Sequence, residues 1–587
     1  MKSFLKYTLA TIVGILITGL LFMLIFFGVM GVILSKGDTT VDIRPQSILK
    51  MKLNYEIRDR SPKDPFNNID FQTFKVKTIL GLNDILANIE KAKKDDDVEG
   101  IYMDLSYIPA GMATIEEIRN ALIDFKEADK FIICYSDIYL HKSYYLASVA
   151  DSIYLNPTGW FYMTGLSSQV MFFKETLDKL GIEPQIIRRG KFKSAVEPFT
   201  RDQMSEENRQ QIESYMRSIW NHMAEEIAAH RDIPQDSLNM IIDNLLVNDA
   251  QSAKKYGLVD GLRYKDEIKE SLKRNSDVDN KPRLVSLGKY NGVPAKKAYR
   301  GLAKDKIAVI YAMGQVMTGE AQEGSIGSER ISRAIREARE DSSIKAIVFR
   351  VNSGGGSTLA SDIIWREMHL AQKEKPVVAS FGDLAASGGY YISVPADTIL
   401  ASPNTLTGSI GVFGMLFNGK ELLNDKLGIH IDVAKTHRYA DFGSPFRSLK
   451  TRERKVMEHI VDDIYDTFIT RVARGRNMKA EEVQEVAQGR VWSGMDARHI
   501  GLIDKYGGLN DAIELAAKMA ETSQYRTVGL PKLKDPFQQF MESFSGNLQN
   551  KVLKQTLGRD ARYYQHLKEA LSMEGIQARI PYTIEVN

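Results

Sequence analysis

Three short runs of this chain carry side chains suited to acyl chemistry. Ser387 stands in Asp383-Leu384-Ala385-Ala386-Ser387-Gly388-Gly389-Tyr390, between an expected strand and an expected helix. Small flanking residues let a substrate backbone approach, and a starting helix offers unpaired N–H groups and positive partial charge. The same turn also suits simple packing of a helix on a sheet. Upstream, Asn352-Ser353-Gly354-Gly355-Gly356-Ser357 follows a strand. Its glycines suit backbone N–H donation to an oxyanion, or a plain anion-binding turn. No Gly-Lys-Ser/Thr follows and the GxGxxG spacing is absent, so it is neither a Walker A nor a dinucleotide loop. A nucleophilic serine needs a base. None of the 9 histidines lies near Ser387 in sequence. A lysine can serve once desolvation brings its pKa down to roughly 7–8. Gly190-Lys191-Phe192-Lys193-Ser194-Ala195-Val196-Glu197-Pro198-Phe199 offers two. Lys191 and Lys193 fall on the same side of a strand, so parity does not choose between them.

What must position these runs is a duplicated domain. Asp95 to Ile101 matches Asp341 to Ile347, and Tyr144-Tyr145, Ala150-Asp151, Pro157 and Gly165 match Tyr390-Tyr391, Ala396-Asp397, Pro403 and Gly411 at one constant offset. Gly257-Leu258-Val259-Asp260 then matches Gly501-Leu502-Ile503-Asp504. A spacing held over so long a stretch is a repeated domain rather than a solenoid. In the second copy β-branched runs at Lys306–Tyr311, Ala346–Val351, Pro376–Ser380 and Thr398–Ala401 alternate with helical patterns at Ser328–Arg339 and about Leu359–Gln372. Such alternation predicts right-handed βαβ units and a largely parallel sheet. Long helices at about Ser205–His230 and Arg452–Ala473 close each copy. The repeat alignment puts Lys193 on Ala440 and Ser387 on His141, so one copy has the lysine and the other the serine. Either one active site is shared between the copies, or the copies have drifted and the lysines are solvated charges. We expect the first copy over 45–272, a linker over 273–304, the second copy over 305–524, and a tail over 525–587 with no counterpart in the first copy.

The 587 residues exceed one ordinary core, and 78 Lys+Arg against 75 Asp+Glu leave a net charge of +3, which argues against a nucleic-acid binder with a broad basic field. The single cysteine, Cys134, excludes an intramolecular disulfide and a zinc finger, and sits in an apolar run as a packing residue. Tyr7 to Ser35 holds no charge. At about 1.5 Å per residue a helix there spans a roughly 30 Å hydrocarbon layer. Lys2 and Lys6 precede it, predicting a cytoplasmic segment over 1–6, an uncleaved anchor over 7–35 and the large domain on the far side.

Together with Thr407-Gly408-Ser409-Ile410-Gly411, these motifs resemble the signal peptide peptidase A (protease IV) family in its long two-repeat form. The resemblance covers nearly the whole chain. It implies an α/β fold of tandem Clp-protease/crotonase-like domains behind a transmembrane helix, and a serine-lysine endopeptidase that degrades signal peptides in the bacterial inner membrane. The family nucleophile falls on Ser387, its general base on Lys193 and the serine that orients the lysine on Ser409. Backbone N–H groups of Gly388 and Gly356 become the oxyanion donors. Gly354 departs from the family, which commonly has proline there. The resemblance implies no metal or cofactor, a homotetrameric ring, and extended apolar peptides as substrates. Two other readings stand beside it: a crotonase-like acyl-CoA enzyme, and a membrane scaffold without activity.

Overall fold

The computed structural model describes residues 2–35, 43–62, 69–70, 75–76, 79–276, 278, 281–294, 303–533 and 576–580. Each repeat is built on a mainly parallel sheet. In the first, Gly261–Leu262, Ser152–Tyr162, Phe131–Leu140, Val98–Leu105, Ser47–Met51 and Arg283–Ser286 lie side by side. In the second, Lys505–Tyr506, Thr398–Ala401, Val377–Ala386, Ile344–Ser353, Asp305–Met313 and Tyr525–Leu530 follow in the matching order, and Leu406–Gly408 and Val491–Ser493 extend the sheet beyond Val377–Ala386. The central strands are near-continuous Val/Ile/Phe runs because helices cover both faces. Ile347, Val348, Phe349 and Val351 are all fully buried. The amphipathic helices Ser328–Glu340 and Thr358–Gln372 pack against one another beside this sheet, close to their expected bounds.

The duplication extends to individual hydrogen bonds. Tyr144 donates its hydroxyl to the Leu258 carbonyl at 2.7 Å, and Tyr390 to the Leu502 carbonyl at 2.8 Å. Arg231 pairs with Asp260 as Arg476 pairs with Asp504, and each aspartate also accepts the N–H of a neighbouring strand, Ile153 or Ile399. Lys130 caps the carbonyls of Ala92 and Asp95, while Lys375 caps those of Ala338 and Asp341. Cys134 is buried beside the Tyr139 hydroxyl, and burial pushes its thiol up to about 12, the packing role expected of it.

Two expected boundaries are corrected. Residues 273–304 are not wholly linker: Lys265–Asn275 is one helix, and Arg283–Ser286 joins the first sheet as an edge strand, parallel to Ser47–Met51. The tail does have a counterpart at its start, since Tyr525–Leu530 pairs in parallel with Asp305–Met313 in the same way. Their polar, Gly/Pro-punctuated surroundings hid both strands, because an edge strand has one side facing water and carries a weak apolar signal. Lys2–Ser35 is helical. The expected span over 7–35 runs past the described side chains, and among the described residues no helix is long and apolar enough to cross a membrane.

A third sheet joins the copies. Glu183–Arg189 of the first repeat pairs antiparallel with Val412–Asn418 of the second over seven residue pairs, from Val412 opposite Arg189 to Asn418 opposite Glu183. Away from it, Arg350 crosses between the repeats with no exposure, donating to Asp59 and Glu117 at 2.7 Å each. Its remaining N–H groups go to Ser380 Oγ and the Phe381 carbonyl. Asp383, in the serine run, accepts from the N–H and hydroxyl of Thr114.

Candidate active site

The strand Val377–Ala386 ends at Ser387, which turns the chain into the short helix Gly388–Ser393. Ser387 has φ 56° and ψ −116°, a conformation costly for a side-chain-bearing residue and held here from both sides. Its N–H donates to the Gly408 carbonyl at 2.8 Å, and its carbonyl accepts from Tyr391. Small neighbours are a steric requirement. A Cβ on Gly389 would come 2.6 Å from the Ser353 carbonyl oxygen, and one on Gly388 would come 2.8 Å from Ser361 Oγ.

Lys193 arrives from the other repeat. The antiparallel pairing of Glu183–Arg189 with Val412–Asn418 carries the chain to the serine, where Gly190 turns it with φ 103°. Lys193 is therefore not on a strand. It precedes the single 3₁₀ turn Ser194–Val196, so the strand-parity comparison with Lys191 does not apply. The turn is pinned on both flanks. Phe192 N–H donates to the Gln488 carbonyl, and Gln211 bridges the Phe192 carbonyl and Ser194 Oγ while accepting from Val491 N–H. Gly489 allows the approach, because a Cβ there would lie 2.6 Å from Lys193 Cβ.

The lysine amine ends 2.7 Å from Ser387 Oγ, 2.9 Å from Ser409 Oγ and 3.0 Å from the Ser409 carbonyl. All three residues are buried. Burial pushes the Lys193 amine well below its usual 10.5, with no other cause contributing. Ser409, itself at φ 49°, donates its N–H to the Arg490 carbonyl, and its hydroxyl lies 3.4 Å from the Gly489 carbonyl. Lys191, by contrast, rests over the ring of Phe192. His141, which the repeat alignment sets against Ser387, begins a helix and accepts the Thr164 N–H at its Nε2. Ala440, set against Lys193, is exposed.

The glycine loop lies alongside. Gly355–Ser357 forms a short strand, and Gly355 at φ 94° is the residue that meets Gly388: a Cβ on it would fall 2.6 Å from Gly388 N. Gly489 and Gln211 were not singled out in the sequence, and Gly355 entered only as one glycine of its run. The only local signal for the glycines was their type. The structure thus brings together Lys193, Ser387 and Ser409, with Gly388 and the Gly355–Gly356 segment beside them.

Peptidase family S49 matches residues 124–279 and again 369–523, one match in each repeat. The chain belongs to peptidase family S49. It is a serine endopeptidase. It is 34% identical to "Serine protease SPPA, chloroplastic" of Arabidopsis thaliana over 92% of this chain and 78% of the relative. It is 36% identical to "Protease 4" of Haemophilus influenzae over 75% of this chain and 73% of the relative. A "Putative signal peptide peptidase SppA" of Enterococcus faecium matches 44% of this chain and 75% of its own length at 32% identity.

Proposed function

We propose that the peptidase acts through a Ser387–Lys193 dyad on extended apolar peptides, signal peptides among them. The observation that carries this reading is the desolvated amine 2.7 Å from the serine hydroxyl. A neutral amine has two N–H donors and one lone pair. Two of its contacts are naturally served by donation, to the Ser409 carbonyl and to Ser409 Oγ, whose own hydrogen points to the Gly489 carbonyl. The lone pair is left for the Ser387 hydroxyl. Ser409 is then the orienting residue, since it uses both amine hydrogens and aims the lone pair at the nucleophile. An ammonium in the same place would donate in all three directions and accept nothing.

In the first step Lys193 takes the Ser387 proton as Oγ bonds to the peptide carbonyl carbon. The oxyanion forms beside the Gly388 N–H at the start of its helix and the N–H of Gly356. Loss of one such donor typically costs about 10²- to 10³-fold in kcat. Collapse expels the amine, which takes the proton back from Lys193. Water then attacks the ester, with Lys193 again accepting the proton, and Ser387 is released. A scaffold without activity has no use for a buried lysine with a lowered pKa against a strained serine.

The uncharged run from Tyr7 to Ser35 within the helix Lys2–Ser35 supports an anchor in a bacterial inner membrane, with the domains outside. The parallel βαβ repeats support the Clp-protease/crotonase type of domain. Leu427, Ile429, Ile431, Phe442 and Phe446 are exposed within one short stretch of the second repeat, and large apolar side chains left in water suit burial in a homotetrameric ring. The deciding experiment is intact-mass detection of a fluorophosphonate adduct alongside hydrolysis of an apolar peptide amide. Wild type labels once and cleaves, while Ser387→Ala and Lys193→Ala do neither. Hydrolysis that persists in Ser387→Ala would sink the reading.

A further inference from the structure

The strand Ile576–Arg579 lies between the glycine loop beside Ser387 and the strand Val412–Asn418. It is antiparallel to the oxyanion loop, with Gly355 opposite Arg579, Gly356 opposite Ala578 and Ser357 opposite Gln577. On its other side it is antiparallel to Val412–Asn418, with Phe413 opposite Gln577 and Gly414 opposite Ile576. The Ile580 N–H donates to the Gly354 carbonyl at 2.9 Å, prolonging the ladder. Pairing on both edges is how an extended peptide is held when main-chain hydrogen bonds supply affinity and pockets for alternate side chains supply selectivity.

The strand's register points one carbonyl at the reacting centre. The position a Cβ would take on Gly355 is 2.0 Å from the Ala578 carbonyl oxygen and 2.6 Å from Gly388 N. A Cβ on Gly388 would itself lie 3.1 Å from the same oxygen. The Ala578 carbonyl therefore sits against the glycine pair that flanks Ser387. Ile576, Ala578 and Ile580, each two residues apart, fall on one face of the strand. Ala578 is buried, Ile580 packs over Gly354 and Leu384, and Ile576 lies over Gly414. The glycine that replaces the expected proline at 354 faces Ile580, whose Cγ1 would stand 2.8 Å from any Cβ there.

We propose that residues Ile576–Ile580 are a substrate-like strand that this chain places in its own peptide channel, making the full chain latent. The inference rests on Ser387 being the nucleophile. It also names the preferred substrate: an extended segment with a small residue at the acyl position, as Ala578, and branched aliphatic residues two places before and after. Release of the strand frees two antiparallel edges at once, and a peptide takes its place. Because bound substrate competes with the docked strand, the apparent affinity falls by the fraction of chains in which the channel is open.

The test uses the full chain in detergent micelles, with the rate of fluorophosphonate labelling and the hydrolysis of an apolar peptide amide as readouts. Two forms are compared with wild type: a chain ending at Gly575, and full-length Ala578→Trp, whose side chain does not fit the buried alanine position. Both are expected to label and cleave on the order of tenfold faster or more. A synthetic peptide of residues 574–582 is expected to raise KM of the accelerated forms while leaving kcat unchanged. Rates equal to wild type in variants with unchanged melting temperature overturn the proposal. If the shortened chain melts lower, the Ala578→Trp form decides: wild-type rates, or no competition by the peptide, overturn it. Labelling of all forms at one rate removes this inference alone. Absence of labelling and cleavage in every form removes the Ser387 reading and this inference with it.

Discussion

Replacing Lys193 by Met tests whether the buried amine is neutral, on which the whole mechanism depends. Methionine keeps the length and apolar stem of lysine but binds no proton. In the unfolded chain the lysine is protonated below about 10.4. In the folded protein burial holds its pKa well below 10.5, so between the folded and unfolded values unfolding takes up one proton. Stability in that window rises with pH. The contribution is complete above the unfolded pKa and is lost as pH falls through the folded one, with a slope of at most about 1.4 kcal/mol per pH unit. The variant lacks this slope. Its absolute stability also carries the loss of the amine's donations to Ser409, a cost of about 1–3 kcal/mol for an acceptor left bare in the interior. That offset does not depend on pH, so the difference between the two proteins isolates the proton. Guanidinium unfolding followed by tryptophan fluorescence, from pH 7 to 9.5 at constant ionic strength, measures it. The wild type should gain on Lys193→Met by about 1–1.4 kcal/mol per unit wherever the folded lysine is neutral. Parallel stability curves would mean that Lys193 keeps its proton when folded, and a protonated lysine is no base.

The same lowered pKa sets the rate profile. Labelling of Ser387 should rise with pH and level off well before 10.5, whereas a lysine at its ordinary value would leave the rate still climbing at pH 9.5. Ser409→Ala removes the hydroxyl that accepts one amine hydrogen, and kcat should fall roughly tenfold with KM unchanged and the limb of the pH profile moved. An unaltered kcat and profile would deny Ser409 its orienting part. Gly388→Ala drives a Cβ to 2.8 Å from Ser361 Oγ and displaces the N–H at the helix start, so kcat should drop about 10²-fold or more while the fold persists. Retained kcat would remove Gly388 as an oxyanion donor. Arg350→Met strands the buried carboxylates Asp59 and Glu117 between the repeats and should cost about 3–5 kcal/mol in denaturant unfolding, without a matching change in the pH profile of the surviving enzyme.

Much of the scaffold was legible because its signals are local. Near-continuous apolar runs placed the strands around Val348 and Val378, and a strong amphipathic pattern placed Ser328–Glu340. The constant spacing between Tyr144 and Tyr390 announced a duplication that the structure repeats down to single hydrogen bonds. The edge strands Arg283–Ser286 and Tyr525–Leu530 were missed, since half-exposed strands share their composition with loops. Among the site residues, Ser387 could be nominated from its small neighbours, but the choice of Lys193 over Lys191 rested on family resemblance.

By itself the sequence determined the element types, the two copies and the complementary presence of lysine in one and serine in the other. Only the tertiary structure decided that these two side chains, 194 residues apart, meet at 2.7 Å. The antiparallel pairing of Glu183–Arg189 with Val412–Asn418 makes that contact, and closure of both repeats around it removes the water that would keep the amine charged. The same sheet gives Ile576–Arg579 its place beside the glycine loop. Strand propensity is written in neighbouring residues, whereas the partner of a strand and the dielectric around a lysine are set by everything that packs there, and no window of sequence contains them.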